Sequence, residues 1–177
     1  MLFKRLPLFA AIAAATTLTA CGQAEEPHAA GPPPEHGVFI SSTDCAERGK
    51  LTIDQCGHAI DQAVAAHTKT APVYKFLRQC EAVQGPERCD RIGDNEYRVR
   101  IQAFFVTMSD PATAVPLYAP FGATAAFRSP SKQELMASDE SLNMSHAALS
   151  VAHENSRLPA LQVDGGAALG EAAAGIH

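Results

Sequence analysis

Four cysteines confined to 45 consecutive positions constrain the fold of this 177-residue chain more than any other feature. They are Cys45, Cys56, Cys80 and Cys89, with 10, 23 and 8 residues between them. Structural zinc sites generally use close cysteine pairs two to four residues apart, and thioredoxin-like redox sites use Cys-x-x-Cys. Neither spacing occurs among these four, so two disulfides are favoured over a zinc site or a redox centre. Disulfides persist only in an oxidising compartment, so the destination of the chain matters.

The N-terminus has the pattern of a secretory leader. Lys4 and Arg5 precede an uncharged stretch over residues 6–20, and at about 1.5 Å per residue such a helix is too short to cross a bilayer core of about 30 Å. The sequence Leu-Thr-Ala-Cys at residues 18–21 resembles the lipobox of bacterial lipoproteins. That resemblance implies that Cys21 is acylated and becomes the first residue after cleavage. An ordinary signal peptide with an incidental cysteine is the alternative.

Residues 21–37 form the expected tether between this anchor and the folded domain. The segment after Cys21 contains four prolines and three glutamates and has almost no hydrophobic residue, so it cannot form a packed core. The residue after Cys21 is Gly22. In enteric bacteria, an aspartate at this position resembles a signal for retention at the inner membrane. The outer membrane is therefore favoured as the destination, with the protein facing the periplasm.

Two helices are expected within the cysteine-rich stretch. Thr52 and Gln55 have the spacing of a capping box, and the helix that they begin is expected to stop before Pro72. Its predicted apolar face contains Ile53, Cys56, Ile60, Ala63, Val64 and His67. A second, shorter helix fits residues 74–86, with Phe76, Cys80 and Val83 on one face and Gly85-Pro86 as its stop.

The two predicted helices favour one disulfide pairing without excluding the other. If the two helices pack antiparallel, Cys56 and Cys80 lie on the faces that meet, which favours Cys56 with Cys80 and Cys45 with Cys89. Sequential pairing, Cys45 with Cys56 and Cys80 with Cys89, stays open because its short loops close easily. Either pairing supplies stability that a small core with few aromatic residues would lack.

The cysteine-rich segment resembles a known family. From Asp44 to Cys89 the chain has Asp-Cys, then Gln-Cys, a helix of small residues, Ala-Pro-x-Tyr and Cys-Glu-Ala before a final cysteine. This order resembles the YgiB-like family of bacterial envelope lipoproteins, a domain of unknown function. Where relatives have an aromatic residue near proline and then a glycine- and methionine-rich run, this chain has residues 96–118. The resemblance implies a location and a fold, and it implies no activity or cofactor.

The remainder of the chain predicts a small sheet and a loose end. Alternation from Tyr97 to Phe105 is typical of a half-buried strand, and Asp110-Pro111 of a turn. Residues 115–118 or 122–127 are candidate partner strands. The predicted fold class is therefore α+β, a small disulfide-stapled helical pair with a short antiparallel sheet, flanked by a disordered tether and tail. The predicted boundaries are a leader over 1–20, a tether over 21–37, a domain over 38–128 and a weakly structured tail over 129–177.

No motif in the chain predicts catalysis or metal binding. The histidine pairs His58/His67 and His146/His153 lack the i, i+4 spacing of a helical metal site, and Gly-x-Ser-x-Gly and phosphate-loop patterns are missing. The net charge is −5 and becomes −7 once Lys4 and Arg5 are removed, which excludes nucleic acid as an expected partner. The sequence favours an envelope interaction or binding module, contacting the membrane through Cys21 and a further envelope protein or ligand. An enzyme with a non-motif active site, or a metal-binding envelope protein, is the alternative.

Overall fold

The computed structural model describes residues 35–48 and 50–161 and shows an α+β fold, which confirms the predicted class. Cys21, the leader and most of the tether lie outside the described residues, as does the predicted tail from residue 162 onward. None of the helices in the described ranges has the length and apolar character needed to cross a membrane. In chain order the elements are β1 (His36–Phe39), α1 (Ser42–Ala46), α2 (Ile53–Thr70), α3 (Leu77–Gln84), β2 (Cys89–Gly93), β3 (Glu96–Val99), β4 (Ala103–Thr107), β5 (Thr113–Leu117), β6 (Ala126–Arg128), β7 (Glu134–Met136), a short 3-10 helix (Glu140–Leu142) and α4 (His146–Asn155).

Helix α2 begins and ends where the sequence predicts. The Thr52 side chain accepts a hydrogen bond from the Gln55 backbone N–H, and the Gln55 side chain accepts one from the Thr52 N–H, which completes the capping box. The helix ends at Thr70, two residues before Pro72. Its buried residues are Cys56, Ala59, Ile60, Ala63 and His67, whereas Ile53 and Val64 of the predicted apolar face are exposed.

A three-stranded antiparallel sheet in the order β1-β4-β5 supports α2. Its apolar core joins the sheet to the first disulfide and to α2, through Phe39, Cys45, Cys56, Ile60, Ala63, Phe104 and Val106. The turn predicted at Asp110-Pro111 connects β4 to β5, as expected.

The single strand predicted from Tyr97 to Phe105 is in fact two strands. β3 pairs with β2, whereas β4 pairs with β1 and β5, so the chain changes sheets between them. At the crossing, the Arg100 N–H donates to the Arg88 carbonyl and the Gln102 N–H donates to the Leu117 carbonyl. The alternation of apolar and polar residues continues through the change of sheet. The sequence pattern therefore does not show that the strand ends and a second strand begins.

Both predicted disulfides are present, but the favoured pairing is wrong. The bonds join Cys45 to Cys56 and Cys80 to Cys89, with Cα–Cα distances of 6.1 and 6.2 Å. The preference assumed that the two cysteine-bearing helices pack on each other. Instead α1 packs on α2, and α3 packs against β2 and β3, so each cysteine meets its neighbour in sequence.

Packed structure also continues beyond residue 128, where the predicted domain ends. β6 pairs with β7 in an antiparallel hairpin, and α4 packs against β6 and β1. A second apolar core is formed there by Val38, Ala103, Leu117, Phe127, Leu135, Ala148 and Ala152. The prediction of a weakly structured tail therefore needs correction for β7 and α4. The weak apolar periodicity of α4 hid this role, because its buried residues are mostly alanines.

Candidate functional site

The predicted site residues do not form one site. Cys21 lies outside the described residues. The other four cysteines are buried and form two separate disulfides. The chemistry-bearing side chains that the fold does bring together are a histidine, a tyrosine and two arginines from α2, β6 and the loops beside them. Their arrangement is the candidate functional site.

Arg88 is the most enclosed of these side chains, with 1% of its surface exposed. Its Nε donates to the Pro120 carbonyl at 2.7 Å, and its Nη1 donates to the Pro86 and Pro159 carbonyls at 3.0 and 2.7 Å. Its Nη2 donates to the Gly122 carbonyl at 3.3 Å. Burial lowers the pKa of Arg88 from its ordinary value. With carbonyl acceptors around the whole guanidinium, Arg88 holds three chain segments together and has a structural role.

Gly85 is the local feature that makes room for this arginine. It has φ of 101°, in the region that favours glycine, and it caps the C-terminal end of α3. A Cβ atom at this position would lie 2.5 Å from Nη1 of Arg88. The predicted helix stop at Gly85 is therefore also a packing requirement.

Arg128, at the end of β6, is 4% exposed and is oriented by three contacts. Its Nη2 donates to Oε1 of Gln84 at 2.9 Å, and its Nε donates to the Ala119 carbonyl at 3.3 Å. The guanidinium carbon lies 4.0 Å from the centroid of the Phe121 ring, a cation–π contact. Burial lowers the pKa of Arg128, but an arginine stays protonated in proteins. The site thus contains a fixed, buried positive charge.

Tyr118 and His67 form a buried hydrogen-bonded pair between β5 and α2. The Tyr118 hydroxyl lies 2.9 Å from Nδ1 of His67, and each residue is less than a tenth exposed. Burial, and then the charge of Arg98, lower the pKa of His67. Burial raises the pKa of Tyr118, while Arg128 and Arg98 oppose that change. Both groups are therefore held in their neutral forms at neutral pH.

Backbone pairing brings the tyrosine and the second arginine together. Tyr118 and Arg128 form an antiparallel bridge, in which each backbone N–H donates to the other's carbonyl at 2.8 and 2.7 Å. The Arg128 guanidinium carbon lies 5.4 Å from the centroid of the Tyr118 ring. On the far side of Gln84, Nε2 donates to the Tyr74 hydroxyl at 3.2 Å. One connected set of polar contacts therefore runs from Tyr74 through Gln84 to Arg128.

Two adjoining hollows open beside these residues, and we call them together the Tyr118 cleft. The first, about 390 Å³, has His67 and Tyr118 in its wall, and the second, about 360 Å³, has Tyr74, Gln84 and Arg128. Thr70, Tyr118 and Pro130 line both. No aspartate or glutamate is among the described residues that line either hollow. The cleft can hold a small molecule, with hydroxyl, amide and guanidinium groups in its wall.

Few features of the sequence predict this cleft. His67 appears in the predicted apolar face of α2, and Tyr118 lies in a candidate strand, but 51 residues separate them. Arg128 directly follows three small or aromatic residues, and a cation ending so apolar a strand is the one signal that could have indicated it. Across residues 35–48 and 50–161, no three His, Cys, Asp or Glu side chains are placed to hold a metal ion.

Comparison with known proteins gives a family and one distant relative. A family model described as "Protein of unknown function (DUF1190)" matches residues 34–146, which include His67, Arg88, Tyr118 and Arg128. The UPF0441 protein SG0265 of Sodalis glossinidius (strain morsitans) is 27% identical over 90 residues, covering 51% of this chain and 38% of the relative. The chain thus spans well under half the length of that relative. No solved structure matches.

Proposed function

We propose that this chain, which belongs to the family of proteins of unknown function DUF1190, is a lipid-anchored module of the bacterial cell envelope that binds a ligand in the Tyr118 cleft. The family membership agrees with the resemblance read from the cysteine-rich segment, and neither assigns an activity. The anchor and the binding role are supported by different observations.

The anchor is supported by the sequence and by the disulfides. A basic pair, a short uncharged stretch and Leu-Thr-Ala-Cys precede Cys21 in the order typical of a lipoprotein leader. The two disulfides are typical of a protein that folds in an oxidising compartment such as the periplasm. Several acyl chains on Cys21 would hold the protein at a membrane, at about 0.8 kcal/mol per buried CH₂ group. Gly22 favours the outer membrane over the inner one.

Binding rather than catalysis is supported by one observation, the buried neutral His67–Tyr118 pair beside a fixed arginine. General acid–base catalysis favours groups whose pKa values lie near the working pH. In this pair burial raises the pKa of the phenol and lowers that of the imidazole, so both move away from the charged form. A neutral hydroxyl next to an oriented guanidinium is suited to orienting a bound molecule.

The anchor is tested by metabolic labelling. Cells that express the full chain are grown with an alkyne-bearing fatty acid, and the purified protein is examined for label at Cys21 and for recovery in the membrane fraction. We expect label in the wild type and none in Cys21→Ser. The double variant Cys45→Ser/Cys56→Ser is the matched control, because it removes two sulfurs and should keep the label. An unlabelled wild type recovered with an intact leader would overturn the anchor.

The binding role is tested against the enzyme alternative by titrating the phenol. The chain has three tyrosines, so the absorbance change at 295 nm is measured for the wild type and for Tyr118→Phe, and the difference isolates Tyr118. We expect Tyr118 to ionise above the ordinary pKa of tyrosine, which is about 10. Ionisation below that value would mark Tyr118 as an activated group and would favour the enzyme instead.

A further inference from the structure

We infer that the ligand of the Tyr118 cleft is an oxyanion, a carboxylate or a phosphate, attached to an apolar body, and that Arg128 and Lys132 bind its charged group. The inference rests on the proposed function, since it names the class of ligand for that same cleft. It is carried by an excess of buried positive charge, by an arginine nitrogen left free to donate, and by apolar surface next to both.

No carboxylate of the described residues forms a salt bridge with the arginines around the cleft. The salt bridges of those residues use Lys50, Lys75, Arg91 and Arg100, all on the exposed surface. Within residues 35–48 and 50–161, Arg88, Arg98 and Arg128 form no salt bridge. Burying a cation without a counter-ion costs free energy, so a bound anion would relieve a cost already present in the fold.

Two further charged groups, Glu134 and Arg98, act on residues of the cleft. Glu134 is opposite Arg128 in the β6–β7 pair, and its charge opposes the effect of burial on the pKa of Arg128, but it is exposed and the described residues show no salt bridge between the two side chains. Arg98 lies close enough for its charge to lower the pKa of both His67 and Tyr118. Its Nε is buried and has no hydrogen-bond partner among the described residues. Arg98 therefore adds to the positive potential at the cleft.

The guanidinium of Arg128 is held by hydrogen bonds, and the residue lines the second hollow. Its Nε and Nη2 donate to Ala119 and Gln84, whereas Nη1 has no acceptor among the residues that the structure describes. The Tyr74 hydroxyl accepts a hydrogen bond from Gln84, so its own proton is free to be donated. Charge-assisted hydrogen bonds from guanidinium to carboxylate or phosphate are among the strongest in proteins. Since Arg128 is held by its neighbours, little conformational entropy is lost on binding.

The other lining residues match an apolar body. Beside Arg128, the wall is formed by Pro72, Val83, Val99, Phe121 and Pro130. Lys132, in the turn between β6 and β7, is exposed and lies at the same hollow, where it can reach the oxygen atoms of a bound group. A ligand with its anionic group at Arg128 and its apolar part against Phe121 would use both kinds of surface.

The test compares three probes of similar size on the purified full chain in a non-ionic detergent. Benzoate, phenyl phosphate and the uncharged benzyl alcohol are titrated by saturation-transfer NMR. We expect at least one anion to bind at least tenfold more tightly than benzyl alcohol. A preference for phenyl phosphate would indicate that the charged group is a phosphate, and a preference for benzoate would indicate that it is a carboxylate.

Variants locate the binding site. Arg128→Gln should weaken the favoured anion at least tenfold, and Lys132→Gln, which alters an exposed turn, about threefold. Arg91→Gln removes the same charge at an exposed position paired with Asp94 and should leave binding unchanged. If Arg128→Gln does not fold, Lys132→Gln still decides the matter. Equal binding of all three probes, or unaltered anion binding in both cleft variants, would overturn the inference.

This result is independent of the anchor. The titration is carried out on the folded chain whether or not Cys21 carries label, so a failed anion site leaves the labelling result standing. A failed labelling result equally leaves the cleft open to measurement. The phenol titration tests the binding role without any probe, so that result also stands if the anion site fails.

Discussion

The two disulfide-bonded corners of this protein achieve burial in different ways. Cys45–Cys56 lies among Phe39, Phe104 and other apolar side chains between α2 and the three-stranded sheet, and we call this the apolar corner. Cys80–Cys89 lies beside Arg88 and Gln84, whose polar atoms are buried with partners, and we call this the arginine corner. The first depends on volume and contact area, whereas the second depends on individual hydrogen bonds. Substitutions that separate those two dependencies test the difference.

The largest expected effect is at the apolar corner. Phe39→Ala removes a fully buried ring and should lower the free energy of unfolding by about 4 kcal/mol, whereas Phe39→Leu keeps most of the volume and should lose less than about 1.5 kcal/mol. Chemical denaturation followed by circular dichroism measures both. If Phe39→Leu lost as much as Phe39→Ala, the apolar corner would require a specific side chain, and the contrast would fail.

At the arginine corner, stability should depend on hydrogen bonds more than on side-chain volume. Arg88→Met keeps a long side chain but leaves four backbone carbonyls without their donor, and we expect a loss of about 3 kcal/mol. Arg91→Met, on an exposed arginine, is the matched control and should change stability by less than about 0.5 kcal/mol. A neutral Arg88→Met would mean that volume alone matters at this corner as well.

Removing each disulfide in turn separates the effect of the cross-link on stability from the effect of the side chains packed around it. The bonds span 11 and 9 residues, and the chain-entropy account predicts a loss of about 2.5 kcal/mol for either double Cys→Ala variant. Nearly equal losses would show that each cross-link acts through the unfolded chain. A difference larger than about 1 kcal/mol between the two would show that the corners contribute differently through native packing.

The smallest expected effect is the pH dependence contributed by His67, which is buried on α2. Because burial lowers the pKa of His67 in the folded state, the unfolded chain takes up this proton first as the pH falls below about 6.5. Stability should therefore be fully present above that pH and should decrease below it. His67→Gln should flatten this decrease, while His153→Gln, on the exposed face of α4, should not. An unchanged pH profile in His67→Gln would contradict the buried neutral assignment.

The apolar corner could be predicted from the sequence more completely than the arginine corner. The capping box at Thr52 and the stop before Pro72 are local signals, and the structure has both. His67 has the correct place on the buried face of α2. Local periodicity and capping chemistry act within a few residues, so one sequence is enough to show them.

The disulfide pairing and the cleft could not be predicted in the same way. Pairing depends on which elements pack together, and α3 packs on β2 and β3 instead of α2. The cleft joins His67 to Tyr118 and Arg128 to Gln84 across 51 and 44 positions, through backbone bridges that leave no periodic signal. The role of α4 was hidden as well, because alanines bury its face without a strong apolar pattern.

The pairing of each cysteine with its neighbour along the chain has a mechanical consequence. Strand β1 precedes both covalent loops and lies at the edge of its sheet, bonded to β4 through successive backbone pairs. Tension applied from the N-terminal side would break those pairs one after another. The first disulfide that could stop this separation is at Cys45. Beyond that point each disulfide limits extension only within its own loop, and no disulfide joins one loop to the other, so apart from residues 57–79 of the chain itself the two loops are held together by noncovalent contacts.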